Sequence, residues 1–117
     1  MVGSLLTMGI EVAMTRPGTA RQKELARRLR ALCPQMPLAD FAAVIETATA
    51  GHLRHLPPSI ALEQALSAHV RHMHTEYDAL LGDGYDRDSA RHFVVDEMNL
   101  VLAQWGSHLR IGADPEL

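Results

Sequence analysis

Apolar side chains recur along most of the chain at intervals of three and four residues, the spacing typical of amphipathic helices. Four such stripes are formed by Leu25, Leu29 and Leu32; by Phe41, Ile45 and Ala48; by Leu62, Leu66, His69, Val70 and Met73; and by Ala90, Val94, Met98, Val101 and Trp105. No segment alternates polar and apolar residues as a half-buried strand does. The pattern therefore predicts an all-α fold, a compact single-domain bundle of four helices plus one short helix.

Residues that begin and end helices divide the chain between these stripes. Thr19 and Gln22 form a capping box that starts the first helix, and Pro34 ends that helix at about residue 33. Gly51 is the expected C′ residue of the second helix, and the Pro-Pro-Ser cluster at residues 57–59 is the expected start of the third.

The short helix is expected between the third helix and the last one. Thr75 and Asp78 resemble a second capping box, so we expect the third helix to break near His74. The short helix then ends at Gly82, where an acidic, glycine-containing turn begins.

The last helix is expected to begin near Arg87, with Asp86 or Asp88 as its N-cap, and to run to Trp105. These boundaries predict three segments. They are an N-terminal segment of residues 1–18 that is partly ordered at best, a helical domain of residues 19–106, and a short, loose C-terminal tail of residues 107–117.

Composition narrows the class of protein. The chain has 117 residues and a formal net charge of −3. Cys33 is its single cysteine, so an intramolecular disulfide is excluded and a reducing cytoplasm is the expected location. No apolar run approaches the roughly 20 residues that span a bilayer, and the first residues lack the pattern of a secretory leader. Because glycine-rich phosphate loops and His-Glu-x-x-His motifs are also absent, we predict no cofactor and no metal ion.

The first helix is strongly basic although the whole chain is slightly acidic. Its candidate nucleic-acid-binding residues are Arg21, Lys23, Arg27, Arg28 and Arg30. A basic helix face can follow a phosphate backbone, but the same face can equally be a solvated surface. No aromatic side chain lies among these residues to stack on a base, which disfavours sequence-specific recognition.

Three histidines lie close together at the end of the third helix. Because successive residues are about 100° apart around a helix, His69 and His72 are separated by about 60°, but His72 and His74 by about 160°. The three could converge on one ion only if the helix breaks at His74 and Asp78 or His92 supplies a further ligand. The spacing favours a hydrogen-bonded His69 at the edge of the core and two solvated histidines.

Arg91 falls at the border of the apolar face of the last helix, where an arginine usually has a carboxylate partner. Asp78 is the best candidate, since a tight turn joins the short helix to the last one. We therefore predict a structural Asp78–Arg91 ion pair, whose loss destabilises the fold by about 1–3 kcal/mol. The alternative is an anion-binding or catalytic pocket. The candidate residues for that pocket are His69, His74, Tyr77, Asp78, Arg87 and Arg91.

One motif spans the short helix and the start of the last helix. It reads H-T-x-Y-D-x-L-L from His74, then G-x-x-R-x-x-A-R from Gly84, and V-L-A-Q-W follows at the helix end. With these residues the chain resembles the bacterial family known as domain of unknown function 2293, over about residues 25 to 106. The family brings no activity, cofactor or partner. The resemblance implies only that the Tyr-Asp pair and the two arginines of the motif act together.

Three classes of function stay open. A non-catalytic binding module, with nucleic acid at the basic first helix as the leading partner, fits the charge distribution best. A homodimeric structural or protein-interaction module would complete its core across a two-fold axis. A metal-dependent or acid–base enzyme would be centred on His69, Asp78 and Arg91.

Overall fold

The computed structural model describes residues 18 to 112. The α-helices are α1 (Ala20–Leu32), α2 (Leu38–Ala48), α3 (Pro58–His74), α4 (Tyr77–Gly82) and α5 (Arg87–Gln104), and a 3-10 helix at Gly51–His55 lies between α2 and α3. Within this range the chain has no strand. The predicted all-α fold of four helices plus one short helix is therefore confirmed. The predicted N-terminal segment lies outside the described residues except for Gly18.

Helix α3 is the centre of the packing, because it contacts every other helical element. Its apolar face carries Leu66 and Val70, both fully buried. The facing helices contribute Leu25 and Leu29 from α1, Phe41 and Val44 from α2, and Val94, Met98 and Leu102 from α5. The sequence stripes thus form one core. Met73 is the exception, since it is 67% exposed in the last turn of α3.

The capping box that starts α1 is confirmed. The Thr19 hydroxyl accepts a hydrogen bond from the Gln22 backbone N–H at 3.0 Å, and the Gln22 side chain accepts one from the Thr19 N–H at 3.2 Å. Helix α1 ends at Leu32, immediately before Cys33 and Pro34. Two backbone donors of the first turn are therefore satisfied within the helix itself.

Helix α2 ends earlier than predicted. Its last residue is Ala48, and Gly51 begins the 3-10 helix with a φ of 56° instead of serving as the C′ residue. Thr49 closes α2, because its hydroxyl donates to the carbonyl oxygens of Ile45 and Glu46 at 3.0 Å. These bonds occupy helix-terminal carbonyls, and the helix stops there.

The break after His74 is confirmed, but the predicted Thr75–Asp78 capping box does not form. Thr75 donates its hydroxyl to the carbonyl of Arg71 and accepts from the Tyr77 N–H. The side chain of Asp78 bonds elsewhere, to His72. The last helix begins at Arg87 with Asp86 in the N-cap position, as predicted.

The chain after α5 folds back on the bundle. The side-chain amide of Asn99 donates to the Ile111 carbonyl at 3.0 Å and accepts from the Ile111 N–H at 2.7 Å. Leu109 and Ile111 pack against the core. The segment from Ser107 to Gly112 is therefore not the loose tail that the sequence suggests. None of the helices in residues 18 to 112 combines the length and apolar character needed to cross a membrane.

Candidate functional site

Several basic side chains of α1 already bond to other groups of the protein, so they are less available to a ligand than the sequence suggests. Arg21 donates from Nη2 to the carbonyl oxygens of Leu53 and Leu56, at 3.0 and 2.6 Å. These bonds attach α1 to the 3-10 segment and satisfy two backbone acceptors. Arg21 therefore stabilises the packing of α1 on this segment through its Nη2 atom.

The other basic side chains of α1 are exposed, and three of them already have a neighbour. Arg27 and Arg28 both bind the carboxylate of Glu24 at 2.6 Å. Their hydrogen bonds hold the pKa of Glu24 below its ordinary value. Arg30 lies over the ring of Phe41, 4.8 Å from its centre. Only Lys23 has no such contact among the described residues, so the predicted basic face is partly neutralised.

The predicted Asp78–Arg91 ion pair is absent from residues 18 to 112. Asp78 instead accepts a hydrogen bond from Nδ1 of His72 at 2.7 Å, with both side chains largely exposed. Arg91 lies on the wall of a cavity with Arg71 of α3. The pair fails because the carboxylate of Asp78 is bonded to His72, whereas Arg91 shares a cavity with the neighbouring residue Arg71.

Arg71 and Arg91 bring two positive charges to the same cavity. Burial, and then the charge of Arg91, lower the pKa of Arg71 from its ordinary value. Within the described residues neither arginine forms an ion pair, and the buried Nε of Arg71 has no hydrogen-bond partner. The cavity has a volume of about 420 Å³ and is also lined by Glu63, Gln64 and Ser67.

Two further cavities also have Glu63 in their lining. One, of about 290 Å³, extends toward Arg110 in the returning C-terminal segment. The other, of about 430 Å³, lies between α1 and α3 and is lined by Arg27, Arg28 and Ser59. We call the three cavities together the arginine groove. Its charged and polar lining residues are Arg27, Arg28, Ser59, Glu63, Gln64, Ser67, Arg71, Arg91 and Arg110.

A second constellation, the histidine cluster, consists of Asp40, His69 and His74. One carboxylate oxygen of Asp40, Oδ1, lies 2.6 Å from Nε2 of His69 and 2.7 Å from Nε2 of His74. An ionised carboxylate only accepts hydrogen bonds, so each Nε2 carries the proton in this arrangement. The cluster joins the first turn of α2 to the last two turns of α3.

Burial and hydrogen bonding have opposite effects on Asp40. Burial acts to raise the pKa of the carboxyl, but hydrogen bonds and charge from His74 and His69 outweigh it, so the pKa lies below its ordinary value. The position of Asp40 near the N-terminus of α2 also favours a negative charge. The cluster is thus built around an ionised carboxylate that is 14% exposed.

Helix geometry explains which histidines join the cluster. His72 points away from His74, as the 160° separation predicts, and reaches Asp78. His74 is the last residue of α3, so its ring can cross the end of the helix toward Asp40. The indole of Trp105 packs edge-on against that ring, with centroids 5.2 Å apart.

The six predicted pocket residues are therefore divided among separate surroundings. His69 and His74 face Asp40, and Arg91 faces Arg71. Tyr77 is buried between the ring of His72 and the guanidinium of Arg71. Arg87 is exposed at the start of α5 and lines none of the three cavities. Asp40 and Arg71 are site residues that the sequence does not predict, because their partners lie on other helices.

Residues 28 to 106 match the family described as Uncharacterized conserved protein (DUF2293). The chain belongs to this family, which confirms the family resemblance of the helical domain. The matched range contains the histidine cluster and most of the arginine groove. No curated protein and no solved structure matches the chain. The family description names no activity, so the chemistry of these two sites has to indicate the function.

Proposed function

We propose that this member of the DUF2293 family binds nucleic acid through its sugar–phosphate backbone, along the arginine groove. The observation that carries the proposal is the pair formed by Arg71 and Arg91. Two guanidinium groups share one cavity wall and have no carboxylate partner among the described residues. Such a pair is complementary to a phosphate, whose charge removes the repulsion between the two cations.

The hydrogen-bond donors that line the cavity also suit a phosphate. The buried Nε of Arg71 has an N–H that lacks an acceptor. Ser67 lies one turn before Arg71 on α3 and brings a hydroxyl to the same wall. Phosphate oxygens accept hydrogen bonds from arginine, serine and amide donors, which are all present here.

The extent of the groove favours a chain of phosphates over a single small anion. Five arginines line its three parts, against Glu63 in the lining and Glu24 paired with Arg27 and Arg28. The groove therefore keeps a positive balance while the whole chain is negative. Because no aromatic side chain lines these cavities, we expect contacts to the backbone without base stacking, and hence little sequence preference.

Fluorescence anisotropy with labelled single- and double-stranded oligonucleotides of DNA and RNA tests the proposal, over a series of salt concentrations. Log affinity falls as log salt concentration rises. Removing one arginine that binds a phosphate should make this slope less steep by about 1. The double variant Arg71→Ala with Arg91→Ala should therefore weaken binding and make the slope less steep by about 2. The matched control combines Arg54→Ala with Arg87→Ala, which removes the same charge outside the groove.

The two outcomes are distinct. Salt-dependent binding that the groove variant loses and the control keeps supports the proposal. No binding by the wild type at low salt, or equal loss in both double variants, contradicts it. A third variant, Lys23→Glu with Arg30→Glu, reverses two charges of α1 that do not line the groove. If that variant alone abolishes binding, the first helix and not the groove is the binding surface.

A further inference from the structure

We propose that Asp40, His69 and His74 form a binding site for one divalent transition-metal ion of the zinc type. The three side chains offer a carboxylate oxygen and two imidazole nitrogens, and these three atoms all lie within 4.8 Å of one another. They come from two helices, α2 and α3, and not from a single flexible loop. The sequence predicts no metal ion, and the proposed function does not depend on one.

The present distances are close to those of a metal site. The Asp40 oxygen lies 2.6 and 2.7 Å from the two Nε2 atoms. An ion with bonds of about 2.0–2.2 Å places neighbouring ligand atoms about 3–3.5 Å apart. The Asp40 oxygen must therefore move away from each nitrogen by less than about 1 Å to admit the ion, while the two nitrogens already lie within 4.8 Å of each other.

The hydrogen-bonded and metal-bound arrangements exclude each other. In the hydrogen-bonded state each Nε2 donates its proton to Asp40. A nitrogen that binds an ion must present its lone pair, so the hydrogen of each neutral ring moves to Nδ1 on binding. The same three residues thus join α2 to α3 in both states. They do so by hydrogen bonds when no ion is bound, and by bonds to the ion when it is present.

The surroundings of the cluster leave room for further ligands. His69 is 10% exposed and Asp40 14%, whereas His74 is 33% exposed. Solvent therefore reaches the ion from the side of His74, and water can complete its coordination. Trp105 limits rotation of the His74 ring by packing against its edge.

The ligand chemistry selects the class of ion. Two imidazoles and one carboxylate suit zinc and the neighbouring divalent transition metals, which accept nitrogen ligands. Magnesium and calcium prefer oxygen ligands throughout, so the cluster disfavours them. None of the three ligand residues lines the cavities of the arginine groove, so the proposed ion is not a part of that groove.

Isothermal titration calorimetry with Zn²⁺ tests the site, using tag-free protein freed of metal with a chelator. The wild type should bind one equivalent of zinc. His74→Ala should weaken binding at least about tenfold, since it removes a direct ligand where even the loss of a supporting hydrogen bond costs about 10–100-fold. His92→Ala is the matched control, because His92 is an exposed histidine outside the cluster.

A second measurement keeps the test independent of how the variants fold. Co²⁺ added to the metal-free wild type should produce visible absorption from nitrogen and oxygen ligation, and Zn²⁺ should abolish it by displacement. Circular dichroism of His74→Ala and Asp40→Asn verifies that each variant remains helical. Absence of zinc binding and cobalt absorption in the wild type overturns the proposal. Equal weakening in His74→Ala and His92→Ala also overturns it.

Discussion

Arg71 of α3 and Arg91 of α5 line the same cavity, and the charge of Arg91 helps to lower the pKa of Arg71. Arginine side chains carry a positive charge near neutral pH, so the two guanidinium groups repel each other. The two helices are packed through apolar side chains such as Val70 and Val94, so the core holds the charges together despite their repulsion.

Removing one of these two charges should not weaken the fold. We expect Arg91→Gln to leave the free energy of unfolding unchanged or raised by up to about 0.5 kcal/mol at low salt. Any gain should shrink at high salt, where the repulsion is already screened. Urea unfolding at two salt concentrations measures the effect, with Arg87→Gln as the control. A loss of more than about 1 kcal/mol would show that Arg91 has a stabilising partner.

The stability of the protein should depend on pH through Asp40. Its pKa is lower in the folded state than the ordinary value of about 3.9, so the folded state binds the proton more weakly than the unfolded state. The stabilisation is therefore fully present above that ordinary value, and it is lost as the pH falls through the folded pKa. We expect Asp40→Asn to cost about 1–3 kcal/mol at pH 7 and progressively less below about pH 4.

Urea unfolding of the wild type and Asp40→Asn across this pH range, with a chelator present, checks the prediction. Asp83→Asn is the control, because Asp83 is exposed and outside the cluster. A difference between wild type and Asp40→Asn that does not shrink in acid would mean that the charge of Asp40 contributes nothing to stability.

The bonds between Asn99 and Ile111 should make the returning segment part of the folded domain. Asn99 is 9% exposed, and its amide pairs with both backbone groups of Ile111. We expect Asn99→Ala to destabilise the protein by about 1–3 kcal/mol, because it removes two hydrogen bonds in a buried setting. In a chain that ends at Gly106 the same substitution should have a much smaller effect. Thermal unfolding of the four proteins measures this coupling.

Asp78 should contribute less to stability than the sequence suggests. Its partner is His72 and not Arg91, and the side chains of His72 and Asp78 are 46% and 62% exposed. Exposed pairs of this kind are worth about 0–1 kcal/mol, so we expect Asp78→Ala to destabilise by less than about 1 kcal/mol. Chemical unfolding at pH 7 tests this value. A loss of about 2 kcal/mol or more would contradict this account, because it would indicate that Asp78 forms a partly buried ion pair, as the sequence predicts for Arg91.

Most of the fold could be predicted because its signals are local. The Thr19–Gln22 capping box and the break after His74 depend on residues within one turn of each other. Apolar spacing identified the core faces, since a buried stripe repeats with the period of the helix. The end of α2 is less well predicted. Glycine is a common signal for a helix end, so the sequence points to Gly51, but the hydroxyl of Thr49 bonds the last carbonyls of the helix before that glycine is reached.

The sites could be predicted only in part because their partners are distant in sequence. The angular spacing of residues on α3 correctly separates His72 from His74, but it gives no indication of Asp40, which lies 29 residues from His69. Likewise, the position of Arg91 indicated a charged neighbour, and proximity suggested Asp78. The packing of α3 against α5 instead places Arg71 beside Arg91.

The most direct test of the arginine groove is a titration of the arginine side-chain Nε–H signals by two-dimensional NMR, with a short oligonucleotide at low salt. We predict that the signals of Arg71 and Arg91 shift together as the oligonucleotide is added, while those of Arg54 and Arg87 stay in place. The Arg71 signal should move most, because its buried N–H gains an acceptor. If Arg71 and Arg91 do not respond while the oligonucleotide is bound, the groove is not the nucleic-acid-binding surface.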